Sequence, residues 1–153
     1  FGQQGYGYNV ESLFNEISRI LGVGQRFSCI IIGAGNMGTA LANYENFRKR
    51  GFDIIAIFDV NPRKIGKKVN GLEIMSMDSL ENFVKDHKVD IAMLTVPGKD
   101  ANEVAEKVTG LGIKGIWNFT PNELRINNDA VVENVHLSDS LMVLGYRLCS
   151  NGY

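Results

Sequence analysis

The segment Gly33-Ala34-Gly35-Asn36-Met37-Gly38 sets three glycines at the spacing G-x-G-x-x-G, directly after the apolar run Phe27-Ser28-Cys29-Ile30-Ile31-Ile32. Asp59 follows about 20 residues later, at the end of a second apolar run. A glycine pattern alone carries little information. A strand before it, a helix after it and an acid at this distance together make a dinucleotide-binding unit. Gly33 permits a tight turn, Gly35 lets the backbone approach a pyrophosphate, and Gly38 lets the helix lie close on the strand. Phosphates can then sit on the free N–H groups and positive dipole end of the helix that begins near Asn36, which brings Ala34, Asn36 and Met37 into the candidate set.

The carboxylate of Asp59 can accept hydrogen bonds from the adenine-ribose hydroxyls and would repel a 2′-phosphate, so NAD(H) is favoured over its phosphorylated form. Val60 and Arg63 border the same edge. Arg63 and Lys64 pull the other way, since a cation there would tolerate that phosphate. Without the glycine turn, Asp59 would read as a solvated turn acid before Asn61-Pro62.

At 153 residues the chain has the length of one domain with one substantial core. Its 16 basic and 17 acidic residues leave a net charge of −1, which provides no electrostatic footprint for nucleic acid or a membrane surface. No apolar run approaches the ~18 residues that cross a bilayer. Cys29 falls in the first strand and Cys149 near the C-terminus, without a C-x-x-C, while His87 and His136 lie far from each other and from cysteine. Two buried, reduced thiols, no metal site and a cytoplasmic setting are the expectation. The chain begins at Phe1 rather than Met, in a stretch with Gly2, Gly5 and Gly7 that reads as a linker, so it is expected to start mid-protein.

The elements that must position these residues follow from periodicity. Val10, Leu13, Phe14, Ile17, Ile20 and Leu21 recur at helical spacing behind Asn9, a good N-cap, and ahead of Gly22. A strand through Ile32, a helix from the glycine turn to about Phe47 and a strand from Phe52 to Phe58 make one β-α-β unit. Leu72 to Met75 is a short apolar segment, followed by a helix from Ser79 to Lys85 capped by Asp78. A strand from Val89 to Val96 is stopped by Pro97-Gly98, and Asp100 to Val108 reads as a helix. Gly115 to Phe119 reads as a strand ended by Pro121, Val131 to Val135 as a last strand, and Leu137 to Leu148 as a terminal helix.

Strands alternating with helices predict an α/β fold, a Rossmann-type doubly wound parallel sheet with ligands outside the carboxyl ends of its strands. Thr95-Val96-Pro97 and Asn118-Phe119-Thr120-Pro121 fall at such ends. The terminal helix carries Leu137, Leu141, Leu144 and Leu148 in one stripe, widened by Met142, Val143 and Tyr146. That apolar surface is broader than one sheet edge covers, which predicts a partner subunit; the competing reading is a helix that caps its own sheet.

In this order, Phe1-Gly2, Gly7-Tyr8-Asn9-Val10-Glu11, the glycine turn, Phe58-Asp59, Thr95-Val96-Pro97, Asn118-Phe119-Thr120-Pro121 and the terminal amphipathic helix resemble the Rex redox-sensing transcriptional repressors of bacteria, nearly end to end. The resemblance implies three parts. Residues 1–22 would be a linker and helix leading from an N-terminal winged-helix DNA-binding domain absent from this chain. Residues 23–135 would be an NAD(H)-binding Rossmann domain, and residues 136–153 a dimerisation helix swapped between the subunits of a homodimer. It further implies that NAD⁺ permits operator binding and NADH releases it. The glycine turn would hold the pyrophosphate and Asp59 the adenine ribose, with Thr95, Val96, Pro97, Asn118 and Phe119 along the cofactor and Tyr44 near the nicotinamide. One position departs from the family pattern: His136 stands where relatives carry an acid that pairs with the switch tyrosine or with an arginine of the DNA-binding domain.

A sensor of nicotinamide redox state must bind the two forms unequally, since a ligand with equal affinity for two conformations shifts nothing. The oxidised ring is cationic, so walls made of Pro97, Phe119 and Leu137 charge their desolvation cost chiefly to NAD⁺ and favour NADH. A small NAD-dependent dehydrogenase is the alternative, and it would need an acid/base group and a charged anchor beside the nicotinamide. His136 is the only histidine this reading puts near the strand ends, and no substrate domain follows. A CoA-binding domain shares the fold, but the ribose 3′-phosphate of CoA would meet repulsion from Asp59.

Overall fold

The computed structural model describes residues 10–21 and 24–152. The Gly-rich start, the Asn9 cap and the Gly22 stop lie outside these residues. Helix α1 (Val10–Leu21) precedes β1 (Phe27–Ile32), whose side chains alternate between two cores. Ile30 and Ile32 pack with Phe58, Leu80, Leu94 and Val108 on one face, while Cys29 and Ile31 pack with Leu41, Ile57, Ile74 and Met93 on the other. A strand with no polar face must lie inside a sheet covered on both sides. β1 does so, pairing in parallel with β2 (Phe52–Asp59) on one edge and β5 (Ile91–Leu94) on the other.

Outward from β2 lie β4 (Leu72–Ser76) and the short β3 (Lys68–Val69); outward from β5 lie β6 (Gly115–Asn118) and β7 (Val131–Asn134). The sheet order is β3-β4-β2-β1-β5-β6-β7, parallel except for the β3–β4 pair. Connections that start at β1 run to opposite sides, and the crevice outside the carboxyl ends of β1 and β5 is the switch point where such folds take ligands.

The intervening helices differ from expectation in instructive ways. A single helix to about Phe47 was expected after the glycine turn, but α2 (Asn36–Ala42) and α3 (Asn46–Lys49) are separate. The carboxamide of Asn70 donates to the Ala42 carbonyl at 3.0 Å and helps close α2 from outside. Asn70 belongs to a hairpin that was not anticipated: Asn70 and Gly71 have φ of 50° and 80°, and Val69 pairs with Leu72 across this two-residue turn. Asp78 is not the cap of the next helix. It lies in a 3₁₀ turn, Met77–Ser79, whose cap is Ser76, and α4 (Leu80–Asp86) follows. The strand expected over Val89 to Val96 is confined to β5; just before it, Asp90 bonds Ser28 twice, its N–H donating to the Ser28 carbonyl and its carboxylate accepting the Ser28 N–H, each at 2.8 Å.

Helix α5 (Ala101–Gly110) returns the chain to β6, but no helix joins β6 to β7 among the described residues. The sheet face bearing Ile91, Met93 and Trp117 is therefore left to α1, and between them runs an apolar groove of about 560 Å³. Helix α6 (Leu137–Ser150) has no buried residue: Leu141 is 67% exposed, Met142 70% and Tyr146 74%. It does not cap its own sheet edge. Cys149, expected to be buried, is exposed on this helix, whereas Cys29 is buried in β1 as expected.

Candidate functional site

Strand β1 ends at Ile32, and the chain turns at Gly33 with φ of 109°. A Cβ there would lie 2.7 Å from the Thr95 carbonyl, so only glycine lets the ends of β1 and β5 approach this closely. Thr95 fastens the turn: its N–H donates to Ile32 O at 3.0 Å and its hydroxyl to Gly33 O at 2.7 Å. At Gly38 an added Cβ would stand 1.9 Å from Gly33 O, which fixes how closely α2 rides on the turn. Gly35 differs from both. A Cβ there would meet nothing closer than the Lys64 amine at 4.0 Å, so this stretch of backbone faces open space that a ligand can enter.

Asp59, the last residue of β2, closes the turn from the side. One carboxylate oxygen accepts the Ala34 N–H at 2.6 Å, and the other accepts the Asn61 N–H at 2.8 Å. A carboxylate offers about four lone-pair sites, so two acceptor positions stay open for hydroxyl donors. Ala34 is gripped through both its backbone polar groups, since Lys64 Nζ donates to its carbonyl at 3.1 Å. Asn61 accepts the Arg63 N–H at 2.9 Å, an Asx turn that sets the course of the following residues. The Arg63 and Val60 side chains are exposed, while Lys64 is half-buried.

The opposite wall comes from the ends of β5 and β6. Val96 is half-buried and Pro97 exposed, and Gly98 O accepts from Asn122 Nδ2 at 2.6 Å. Asn118 is fully buried. Its Nδ2 donates to Asn122 O and Asn134 Oδ1, both at 2.9 Å, and its Oδ1 accepts the Thr120 N–H and hydroxyl at 3.0 and 2.7 Å. With its amide fully engaged inside the protein, Asn118 braces the ends of β6 and β7 and the loop between them, and the adjacent Phe119 is the half-buried residue at the rim. Sequence reasoning missed Asn122 and Asn134, and it placed Lys64 beside the ribose edge rather than against the glycine turn. Both look like ordinary loop asparagines in the sequence.

Two predicted residues stand apart from the glycine turn. Tyr44 lies between α2 and α3, not within a helix, and lines the apolar groove with Phe52 and Ile91, the first residues of β2 and β5. It is 54% exposed and packs edge-on against Phe47 at 4.7 Å. From there a file of rings runs through Phe47–Trp117 at 5.5 Å to Trp117–Phe119 at 4.6 Å, reaching the cleft rim. His136 is exposed at the N-cap position of α6 and makes no side-chain cap bond; Leu137 beside it is 62% exposed. Burial pushes the Cys29 thiol up to about 12, aided by Asp90 and Asp53, so it is not a nucleophile at neutral pH. No cluster of metal-ligating side chains occurs among the described residues, nor any helix long and apolar enough to cross a membrane.

Comparison with known proteins agrees with this geometry. A family model described as the CoA binding domain matches residues 24–122. The redox-sensing transcriptional repressor Rex of Caldicellulosiruptor saccharolyticus is 52% identical over 148 residues, covering 97% of this chain and 68% of that protein. Its namesake from Clostridioides difficile is 51% identical over 146 residues, covering 95% and 70%. Among solved structures, the Rex-family repressor RSP in complex with β-NADH is 46% identical with a TM-score of 0.83, covering 97% of this chain and 72% of that one. RSP bound to β-NAD⁺ and operator DNA is 48% identical with a TM-score of 0.80, covering 99% and 70%. Aspartate semialdehyde dehydrogenase II from Vibrio cholerae, 16% identical with a TM-score of 0.59 over 84% of this chain and 47% of that one, shares the fold alone. The chain spans about two thirds of the length of the Rex proteins it matches.

Proposed function

The chain belongs over residues 24–122 to the CoA binding domain family and, over nearly its whole length, to the Rex family of redox-sensing transcriptional repressors; from that premise we propose that it is the NAD(H)-binding, dimer-forming part of such a repressor. One observation carries the cofactor reading. The bare backbone at Gly35 opens beside a carboxylate, Asp59, that is locked against Ala34 and still has acceptor positions free. Pyrophosphate on the turn and ribose hydroxyls on Asp59 fit that arrangement. Gly33, Ala34, Asn36, Met37 and Gly38 shape the turn; Val60, Arg63, Thr95, Val96, Pro97, Asn118, Phe119 and His136 border or brace the cleft.

The regulatory role needs unequal binding of the two redox forms. The apolar rim supplied by Pro97, Phe119 and Leu137 disfavours the cationic ring of NAD⁺, so NADH is the tighter ligand. The subunit contact is the α6 surface, whose leucines find no cover among the described residues of their own chain. Operator DNA is bound by the portion of the relatives that this chain does not span, a winged-helix domain, and the whole works in the cytoplasm on the NADH pool there. Tyr44, on the groove side, couples to the cleft rim through the file of rings.

The family match named for CoA gives the competing ligand. Asp59 disfavours it, because a ribose 3′-phosphate would be set against a fixed carboxylate. Calorimetric titration of the chain with NADH, NADPH and CoA tests the assignment. NADH binding tightest of the three, without displacement by equimolar CoA, is expected; CoA displacing NADH would replace this reading with the other.

A further inference from the structure

We propose that Lys64 is a pyrophosphate-binding residue of the cleft, a role that rests on the NAD(H) reading above and extends it to a side chain outside the glycine turn. The ammonium of Lys64 lies 4.0 Å from the position a side chain of Gly35 would occupy. Gly35 is bare where a pyrophosphate must approach, so the amine borders the volume that the diphosphate fills. Lys64 reaches this place from beyond β2 and donates to Ala34 O at 3.1 Å, one of three donors on an ammonium. Among the described residues it makes no other hydrogen bond, which leaves two donors for a ligand.

Charge arrangement supports the assignment. Asp59 takes the backbone N–H of Ala34 and Lys64 its carbonyl. An anion and a cation are thereby fixed on either side of one residue. A dinucleotide presents the matching pair, ribose hydroxyls that seek an acceptor beside a diphosphate that seeks a cation. Arg63 is the alternative cation, but its side chain is exposed whereas Lys64 is half-buried against the turn.

The test uses the full chain with Lys64→Met and Lys64→Arg, and three ligands: NADH, ADP-ribose and adenosine. Lys64→Met should weaken NADH and ADP-ribose by about ten- to hundredfold, the loss of one charge-assisted hydrogen bond, and leave adenosine unchanged. It should also flatten the salt dependence of ADP-ribose binding, and Lys64→Arg should restore most of the affinity. Equal ADP-ribose affinity in Lys64→Met and the unmodified chain would overturn the proposal, as would an equal loss for adenosine, which would put Lys64 on the ribose or in the scaffold. The unmodified chain separates the two levels: if it fails to bind NADH, the NAD(H) reading and this inference both fall, while normal NADH binding with an indifferent Lys64→Met removes this inference alone.

Discussion

Asp59 has two tasks in this structure, and substituting it should expose both. Its carboxylate holds the Ala34 N–H at 2.6 Å, and Ala34 is only 5% exposed, so water cannot readily replace that partner. Asp59→Ala leaves a buried donor unpaired, at a cost of about 1–3 kcal/mol. In a domain of this size that lowers the melting temperature by about 2–12 °C. Asp59→Asn keeps an oxygen for Ala34 and should cost less. For the ligand, losing a charged acceptor at the ribose hydroxyls removes about 1.5–3 kcal/mol, or roughly 10- to 150-fold in NADH affinity. NADPH should respond differently. A unit charge about 4 Å from the carboxylate is opposed by at most about 4 kcal/mol at an effective dielectric of 20, and solvent at this half-buried site reduces that. Removing the carboxylate relieves the repulsion, so NADPH loses little and the NADH/NADPH ratio narrows about tenfold or more. Calorimetry of both ligands on Asp59→Asn, with thermal melts of both variants, checks each part. An unchanged NADH/NADPH ratio would refute the ribose assignment, and an unchanged melt for Asp59→Ala would refute the clamp on Ala34.

Deleting the chain from Leu137 onward should convert the dimer to monomers or aggregate, seen by light scattering, because α6 presents a continuous exposed apolar face; a well-folded dimer after deletion would exclude that helix as the main interface. His136→Asp should lower the preference for NADH, since a carboxylate at the rim stabilises the cationic ring, and should also stabilise α6 by about 0.5–1 kcal/mol by supplying the missing N-cap acceptor. An unchanged NAD⁺/NADH ratio would move His136 away from the nicotinamide. Thiol reagents at pH 8 should label exposed Cys149 readily and Cys29 only after unfolding. Burial raises the Cys29 thiol from 9.0 to about 12, so its contribution to stability is intact below pH 9 and declines as pH rises toward 12. Alkaline melts of a Cys29→Ala variant should lack that decline.

The parallel sheet was legible because its central strands are apolar on both faces: Ile30, Ile31 and Ile32 admit no solvent-facing partner. The glycine turn was legible because each glycine has a distinct steric reason, and the close approaches at Gly33 and Gly38 bear those reasons out. What escaped was long-range. The break between α2 and α3 involves Asn70, a residue 28 positions away, which no local periodicity reveals. The β3–β4 hairpin did carry a local signal, Asn70-Gly71, but strands this short lack the alternation that would have identified them. Asn118 resembled a ligand contact at a strand end, and only its folded surroundings show its amide absorbed by the Asn122 carbonyl, the Thr120 hydroxyl and the Asn134 side chain. The sequence put Lys64 near the ribose edge, but its hold on the glycine turn appeared only when folding laid the segment after β2 against that turn.

The central claim is that this cleft distinguishes the two redox forms of one cofactor, and the dissociation constants of NADH and NAD⁺ for the unmodified chain, measured by calorimetry in one buffer, test it most directly. The account predicts NADH to bind at least about tenfold more tightly, a difference of about 1.4 kcal/mol assigned to desolvation of the cationic ring. Equal affinities, or tighter binding of NAD⁺, would contradict it, because a ligand pair that the protein cannot tell apart cannot report redox state.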